Sequence, residues 1–457
     1  MTQRNQTTDA TRWLRDEIDD VSARGIRHRM TELIRSGYLH VGAPLPTVRD
    51  IARELGVSVG SVADAWAQLR ADKLIVTRRR GGTIVATGET AKSGAMPVAS
   101  SRWYSVDLAQ GTAEPNLQPH LGKALLASLQ SATLNAPDSE AISNALVAAA
   151  RPTFPFKPDA WTASGGGTEG ALLAFEAVSK RGCVVAIEEP TSPRILDAFK
   201  ALGIQLIGVP CDREGPLPDG LKSALRYNPS AFVYQPRAQV PLGHRVSDRR
   251  IKELADVISN HDDRVAVVED DNIGPIATAD VSSMGSYLPD RVLYVRAYCK
   301  TYGVDLRTSI IAGSAELVER ARQMRSHGTA MTSRILQEAV AYLITDPETE
   351  SIIDRARLCY AQRRQRLREA LNLRGMPTDE GDGFVLWLPV ADENATLLNL
   401  ASFGVSVGAG SKCFVTPQSA GHLRIATSRL PDDYQSVEQL ADIIEKAVAG
   451  RARVEYE

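Results

Sequence analysis

Five short apolar runs, at residues 184–187, 205–209, 231–234, 265–268 and 292–295, recur along the middle of the chain with helical stretches between most of them. A run of four or five apolar residues, too short for a core helix and apolar on both of its alternating faces, is a strand covered on both sides. Alternation of such strands with helices implies a mostly parallel sheet, because parallel neighbours need a long crossover. Ligands of such sheets gather at the carboxyl ends of the strands. Farther on, helical patterns at 335–344 and 352–371 precede a strand-like run at 384–388. This part reads as a smaller α+β layer that meets the first over a cleft.

The strand ends carry distinctive chemistry. Lys300 closes the run 291–300, Asp270 ends an earlier one, and Arg307 follows seven residues after the lysine. A lysine at the end of a buried strand can condense with an aldehyde, an acid beside it can hold a pyridinium nitrogen, and an arginine can hold a phosphate. The three point to pyridoxal phosphate. Upstream, Gly165-Gly166-Gly167-Thr168-Glu169 leads into a helix, where exposed amides and the helix dipole favour an anion. Taken singly, each residue has an ordinary reading: a surface lysine, a capping acid, a connecting turn, and, for Arg424, a salt-bridge partner.

The first part of the chain is of another kind. Ile26, Met30, Leu33 and Ile34 give an amphipathic helix at 25–36, stopped by Gly37. After Pro44-Leu45-Pro46-Thr47, a second helix turns Val48, Ile51, Ala52 and Leu55 inward. Gly56 supplies the turn, and Ser58 caps a third helix carrying Val62, Trp66 and Leu69. Residues 75–77 and 83–85 are β-type runs joined by a basic, glycine-containing turn. This is a helix-turn-helix with a wing. Between positions 42 and 86 there are seven basic residues against four acidic. Such clustering neutralises phosphates, while the start of the third helix reaches base edges. A three-helix protein-interaction module is the alternative.

The series Leu45-Pro46-Thr47-Val48-Arg49-Asp50-Ile51-Ala52, Leu55-Gly56-Val57-Ser58, Val62, Leu69 and Gly82-Thr83-Ile84-Val85 resembles the winged helix-turn-helix of the GntR family. Where that family often has arginine after the cap serine, this chain has Val59-Gly60. Ser58, Ser61, Arg49, Arg78, Arg79, Arg80 and Thr83 are then the DNA-contact candidates. From the glycine turn onward, the order Glu188-Glu189-Pro190, Pro241-Leu242-Gly243, Glu269-Asp270-Asp271, Lys300 with Arg307, and His422-Leu423-Arg424-Ile425 resembles the fold-type-I aminotransferases. Joined in one chain, the two are similar to the MocR subfamily of GntR regulators. The resemblance implies a multidomain protein: a winged helix-turn-helix domain at 1–86, a linker at 87–104, and an α/β fold-type-I transferase-like domain with a smaller α+β layer at 105–450.

It further implies that Lys300 carries pyridoxal 5'-phosphate, that Asp270 pairs with its ring nitrogen, and that Arg307 with Gly167, Thr168 and Glu169 holds its phosphate. Arg424 would take an effector's α-carboxylate. The implied function is a DNA-binding regulator that senses an amino compound through aldimine exchange, working as a homodimer on double-stranded DNA. Several positions depart from the pattern. Ser192 replaces a stacking aromatic, Asn272 replaces a tyrosine in the cofactor set, Ala297 and Cys299 replace serines, and Val240 replaces an asparagine. Each weakens the grip on the cofactor, so poor transamination is expected. The alternatives are an aminotransferase with an appended DNA-binding module, and a regulator whose second half is a cofactor-free scaffold.

Composition agrees with a globular protein: 43% apolar and 24% charged residues fit neither a disordered nor a membrane-spanning chain. The opening residues, Met1 to Arg12, are polar and lack a secretory core, so a cytoplasmic protein with no membrane contact is expected. The five cysteines are scattered without metal-ligand spacing, which reads as reduced, mostly buried thiols and no metal.

Overall fold

The computed structural model describes residues 14–15, 17–18, 20–35, 39, 43–72, 74–78, 82–86, 106–136, 141–261, 264–326 and 331–450. The chain divides into two compact units, Met1–Arg102 and Trp103–Glu457.

In the first unit, helix α1 (Ala23–Arg35) is followed by a short strand β1 (Pro44–Leu45), helices α2 (Val48–Leu55) and α3 (Val59–Ala71), and the hairpin β2 (Ile75–Arg78) and β3 (Gly82–Val85). Thr47 Oγ1 accepts from the Asp50 amide at 3.2 Å and Ser58 Oγ from the Ser61 amide at 3.0 Å, so both helices begin at side-chain caps. Gly56 ends α2 in a left-handed conformation. The sheet runs β1-β3-β2, all antiparallel, which secures the wing to the loop ahead of α2. Ile26, Met30, Leu33, Ile51, Val62, Trp66, Leu69, Ile75 and Val85 form one buried core. Val48 and Leu55, expected inside, are only half-buried at its edge. The expected stop at Gly37 lies outside the described residues.

In the second unit the strands are β4 (Val106–Leu108), β5 (Ala160–Ser164), β6 (Val184–Glu189), β7 (Gln205–Asp212), β8 (Gly215–Pro216), β9 (Ala231–Tyr234), β10 (Ala266–Asp271), β11 (Val292–Ala297), β12 (Ser309–Gly313), β13 (Val385–Val390), β14 (Val405–Ala409) and β15 (Gly421–Ala426). The large sheet has the order β5-β12-β11-β10-β9-β6-β7-β8. Its centre, β7-β6-β9-β10-β11, is parallel and is made of the five apolar runs. Two antiparallel strands, β12 and β5, extend it and were not legible as apolar runs. Their serines explain this, since Ser164 Oγ and Ser309 Oγ bond to each other at 2.5 Å inside the core and so satisfy two hydroxyls a strand pattern would place outside.

The small sheet runs β13-β15-β14-β4. Its edge strand β4 is parallel to β14, so the first strand of the unit is paired with one about three hundred residues later. The long helices Arg334–Thr345 and Pro347–Leu373 lie where periodicity put them. Among the described residues no helix is long and apolar enough to cross a membrane. Of the five thiols, all free, only Cys413 is fully buried; the other four are half-buried, a correction to the expectation of mostly buried cysteines.

Trp66 is wholly enclosed among α1, α2 and the hairpin core. Trp66→Ala should therefore destabilise the first unit by about 3–5 kcal/mol. In the full-length chain this is measured as an early, separate thermal transition accompanied by loss of DNA binding, with the second unit's transition unchanged.

Candidate functional site

Three successive carboxylates end β10, and strand alternation gives them different surroundings. Glu269 is fully buried and accepts from Tyr234 Oη, Ser283 Oγ and the Met284 amide. Burial pushes its pKa up to about 7. Asp271 is also fully buried, and burial would raise it too. Arg237 at 2.8 Å, Arg296 at 3.2 Å and Tyr294 Oη at 2.7 Å instead bring it down to about 2. Asp270 points the other way, 2% exposed, and its Oδ1 has no hydrogen-bond partner. Burial raises it to about 7, opposed by Lys300 and reinforced by Asp271.

Lys300 sits in the single helical turn Cys299–Tyr302 that follows β11, the parallel neighbour of β10. Its Nζ donates to Asn272 Oδ1 at 2.5 Å and lies 5.9 Å from the centre of the Phe384 ring. Burial lowers its pKa, favouring the neutral amine a carbonyl carbon requires.

The glycine turn enters the helix Gly167–Val178 through Gly166, whose φ of +109° only glycine adopts readily. A Cβ there would stand 3.5 Å from Arg307 Cζ, so the Arg307 guanidinium lies against the turn. Arg307 makes no hydrogen bond or ion pair among the described residues. Glu169 is engaged by the turn itself, its carboxylate accepting from the Gly165 amide and pairing with Arg325 Nε at 3.2 Å.

Arg424, on β15, lies between Trp387 of β13 and Gly408 of β14. A Cβ at Gly408 would come within 2.8 Å of the guanidinium, so glycine lets it lie flat on the sheet. One Nη donates to Ala109 O at 2.9 Å, while the buried Nε has no partner.

A cavity of about 380 Å³ joins these groups: Lys300, Asp270, Asn272, Thr168 and Arg424 all line it, and Phe384 forms a wall. Gly167, Glu169 and Arg307 do not line it. Gly167 packs against Ala297 and Arg307 against Gly166, at the turn beside it. Ser192 and Val240 line the cavity with small side chains where rings or amides were expected. Sequence reading gave no role to three nearby residues. Arg194 lines the cavity, Gln235 lines it while holding Glu188 at 2.9 Å, and Glu188 itself is buried with Oε2 unpartnered and pushed up to about 8 by that burial. Glu188 stood in the quoted motif without a role, and Arg194 and Gln235 were signalled only by their nearness in chain to Pro190 and Pro241. Orphaned Asp270 Oδ1, the glycine turn with its guanidinium, and a buried amine form a donor set that fits pyridoxal phosphate.

On the first unit, Ser58, half-exposed Val59 and Ser61 open α3, and Ser58 Oγ bonds Ser61 Oγ at 2.9 Å. Arg49 is exposed without a partner among the described residues, and Thr83 pairs with Thr77 at 3.1 Å across the hairpin. Arg79, Arg80 and the side chain of Arg78 lie outside the described residues.

This fold and its strand-end lysine define a transferase-like unit behind a winged DNA reader. The chain belongs to the aminotransferase class I and II family, matched over residues 107–444, and residues 22–85 match the bacterial regulatory proteins of the gntR family. The combination is that of DNA-binding transcriptional regulators of the MocR type. A vitamin B6 salvage pathway transcriptional repressor, PtsJ, of Salmonella typhimurium is 29% identical over 91% of this chain and 96% of its own. The regulator TauR of Rhodobacter capsulatus is 22% identical over 85% and 89%. Among solved structures, a kynurenine aminotransferase of Pyrococcus horikoshii superposes with a TM-score of 0.67 at 19% identity, covering 75% of this chain and 91% of that one. LysN of Thermus thermophilus gives 0.66 at 19%, covering 76% and 92%.

Neighbouring acids should respond oppositely to pH. A carboxyl raised from 3.8 to about 7 costs stability progressively as pH climbs through that window. Urea unfolding of the cofactor-free protein should thus show stability falling between pH 4 and 7, and Asp270→Asn should flatten the fall by up to about 4 kcal/mol. Asp271, held near 2, stabilises above its ordinary 3.8 and loses that contribution only as pH falls toward 2. Asp271→Asn, which strands two buried guanidiniums, should cost about 3–5 kcal/mol at neutral pH.

Proposed function

We propose that this DNA-binding regulator holds pyridoxal 5'-phosphate on Lys300 and senses a small amino compound there, the ligand state of the cavity setting its affinity for DNA. The observation that carries the reading is Lys300 Nζ on Asn272 Oδ1, in one cavity with an unpartnered Asp270 and Arg424. When bound, pyridoxal phosphate supplies an aldehyde carbon open to attack by amines. Lys300, its pKa lowered by burial, supplies the amine, and Asn272 orients it. Asp270 would hold the ring nitrogen, and a proton shared with it would relieve the orphaned Oδ1. Arg307, Gly167 and the amides of Thr168 and Glu169 take the phosphate. Arg424, with Nε free, takes the effector's carboxylate in its planar fork.

A full-length relative named for vitamin B6 salvage supports a B6-type ligand in this cavity. Ser192 and Val240 leave the ligand without the ring and amide that would fix it for rapid turnover, so binding is favoured over catalysis. In this reading residues 1–86 contact double-stranded DNA through Arg49, Ser58, Ser61, Arg78, Arg79, Arg80 and Thr83, residues 87–104 link, and residues 105–450 sense and pair in a homodimer, all in the cytoplasm. Such coupling requires the effector to bind one arrangement better than another.

Purified protein given pyridoxal phosphate should develop a visible, borohydride-reducible chromophore that Lys300→Ala lacks; matching spectra would refute the cofactor assignment. Arg78→Ala/Arg79→Ala/Arg80→Ala should weaken DNA binding across sequences and lower the slope of log affinity against log salt by about two to three. A salt titration by fluorescence anisotropy measures this, and an unchanged slope would remove the wing from the interface.

A further inference from the structure

The start of the helix Gly167–Val178 is flanked by two guanidiniums. Arg307 rests on Gly166 from one side. From the other, Arg194, at the beginning of the helix Pro193–Leu202, reaches over so that its Nη1 donates to Thr168 Oγ1 at 3.3 Å. Neither arginine has an ion pair among the described residues. The one carboxylate at the turn, Glu169, is committed to Arg325 and the Gly165 amide. Two unpaired cations therefore converge on the positive end of a helix dipole, an arrangement that repels itself until an anion is added. Arg194 also lines the cavity holding Asp270, whose buried Oδ1 is unpartnered, so the same space asks for a ligand at both ends.

We propose that Arg194 is a second phosphate-holding residue, closing with Arg307 and the Gly167-Thr168 amides a cup for the phosphate monoester of the cofactor. This deepens the cofactor reading and rests on it. The need is visible in the neighbourhood. Ala297 and Cys299 offer no hydroxyl to the anion, and the small Ser192 leaves room for the arginine two residues later to swing over the turn. A guanidinium is suited to replace such hydroxyls, since its parallel N–H groups meet two phosphate oxygens at once. Thr168 then has two roles, an amide toward the anion and a hydroxyl that tethers Arg194.

The test compares binding of pyridoxal phosphate with that of pyridoxal, which offers Lys300 the same aldehyde without the phosphate, in full-length wild-type, Arg194→Ala and Arg194→Lys proteins. Arg194 is exposed, so the variants should retain the wild-type melting temperature. Arg194→Ala should weaken pyridoxal phosphate on the order of 10- to 100-fold and leave pyridoxal unchanged, with Arg194→Lys recovering part of the loss. Equal weakening of both ligands, or of neither, would overturn the assignment while leaving the cofactor reading intact. A wild-type protein that binds neither ligand would sink both.

Discussion

The ion pairs of Asp271 with Arg237 and Arg296 are the constraint on which the site depends. They lie at the carboxyl end of the parallel strands, with Tyr294 adding a hydrogen bond. Buried pairs of this kind contribute little net stability over an apolar replacement, yet breaking one leaves a stranded charge. Their effect is to fix orientation. With Asp271 held on one face of β10, the backbone alternation commits Asp270 to the other, and Glu269 is committed with Asp271 by its own three donors. One acid of three is thus left without partners, and it faces the lysine.

The rest of the site is a set of groups deprived of their usual partners. Asp270 Oδ1, Glu188 Oε2 and Arg424 Nε are buried and unbonded, and Arg194 and Arg307 are unpaired. By contrast, two buried serines outside the cavity, Ser164 and Ser309, satisfy each other between β5 and β12. Asp270 and Arg424 line one cavity, and their unpartnered atoms are what a polar ligand would satisfy. Ser192, Val240, Ala297 and Cys299 put small or apolar side chains at positions where the resemblance led one to expect rings, amides or hydroxyls.

Much of this was legible in sequence. The five apolar runs became the parallel centre of the sheet because each is buried on both faces, and burial on both faces is what an unbroken apolar run encodes. The caps Thr47 and Ser58 fixed the helix starts because capping is local. Strands β12 and β5 escaped notice because each carries a serine, Ser309 and Ser164, whose hydroxyls are satisfied by each other across the sheet. Strand β4 is only three residues long, and nothing near it in the chain announces its pairing with β14.

What the sequence determined by itself is therefore whatever depends on neighbours within a few residues: strand and helix identities, caps, the wing, and the order of lysine, acid and arginine. What only the tertiary structure decided is partnership. Asp270 and Asp271 are the same residue type, set apart in sequence only by resemblance to a family pattern, and Arg194 looks like any charge at a helix start. Which acid is neutralised, which is left bare, and which guanidiniums meet at the glycine turn are settled by contacts between segments tens to hundreds of residues apart, since electrostatic energies depend on distance in space and on burial.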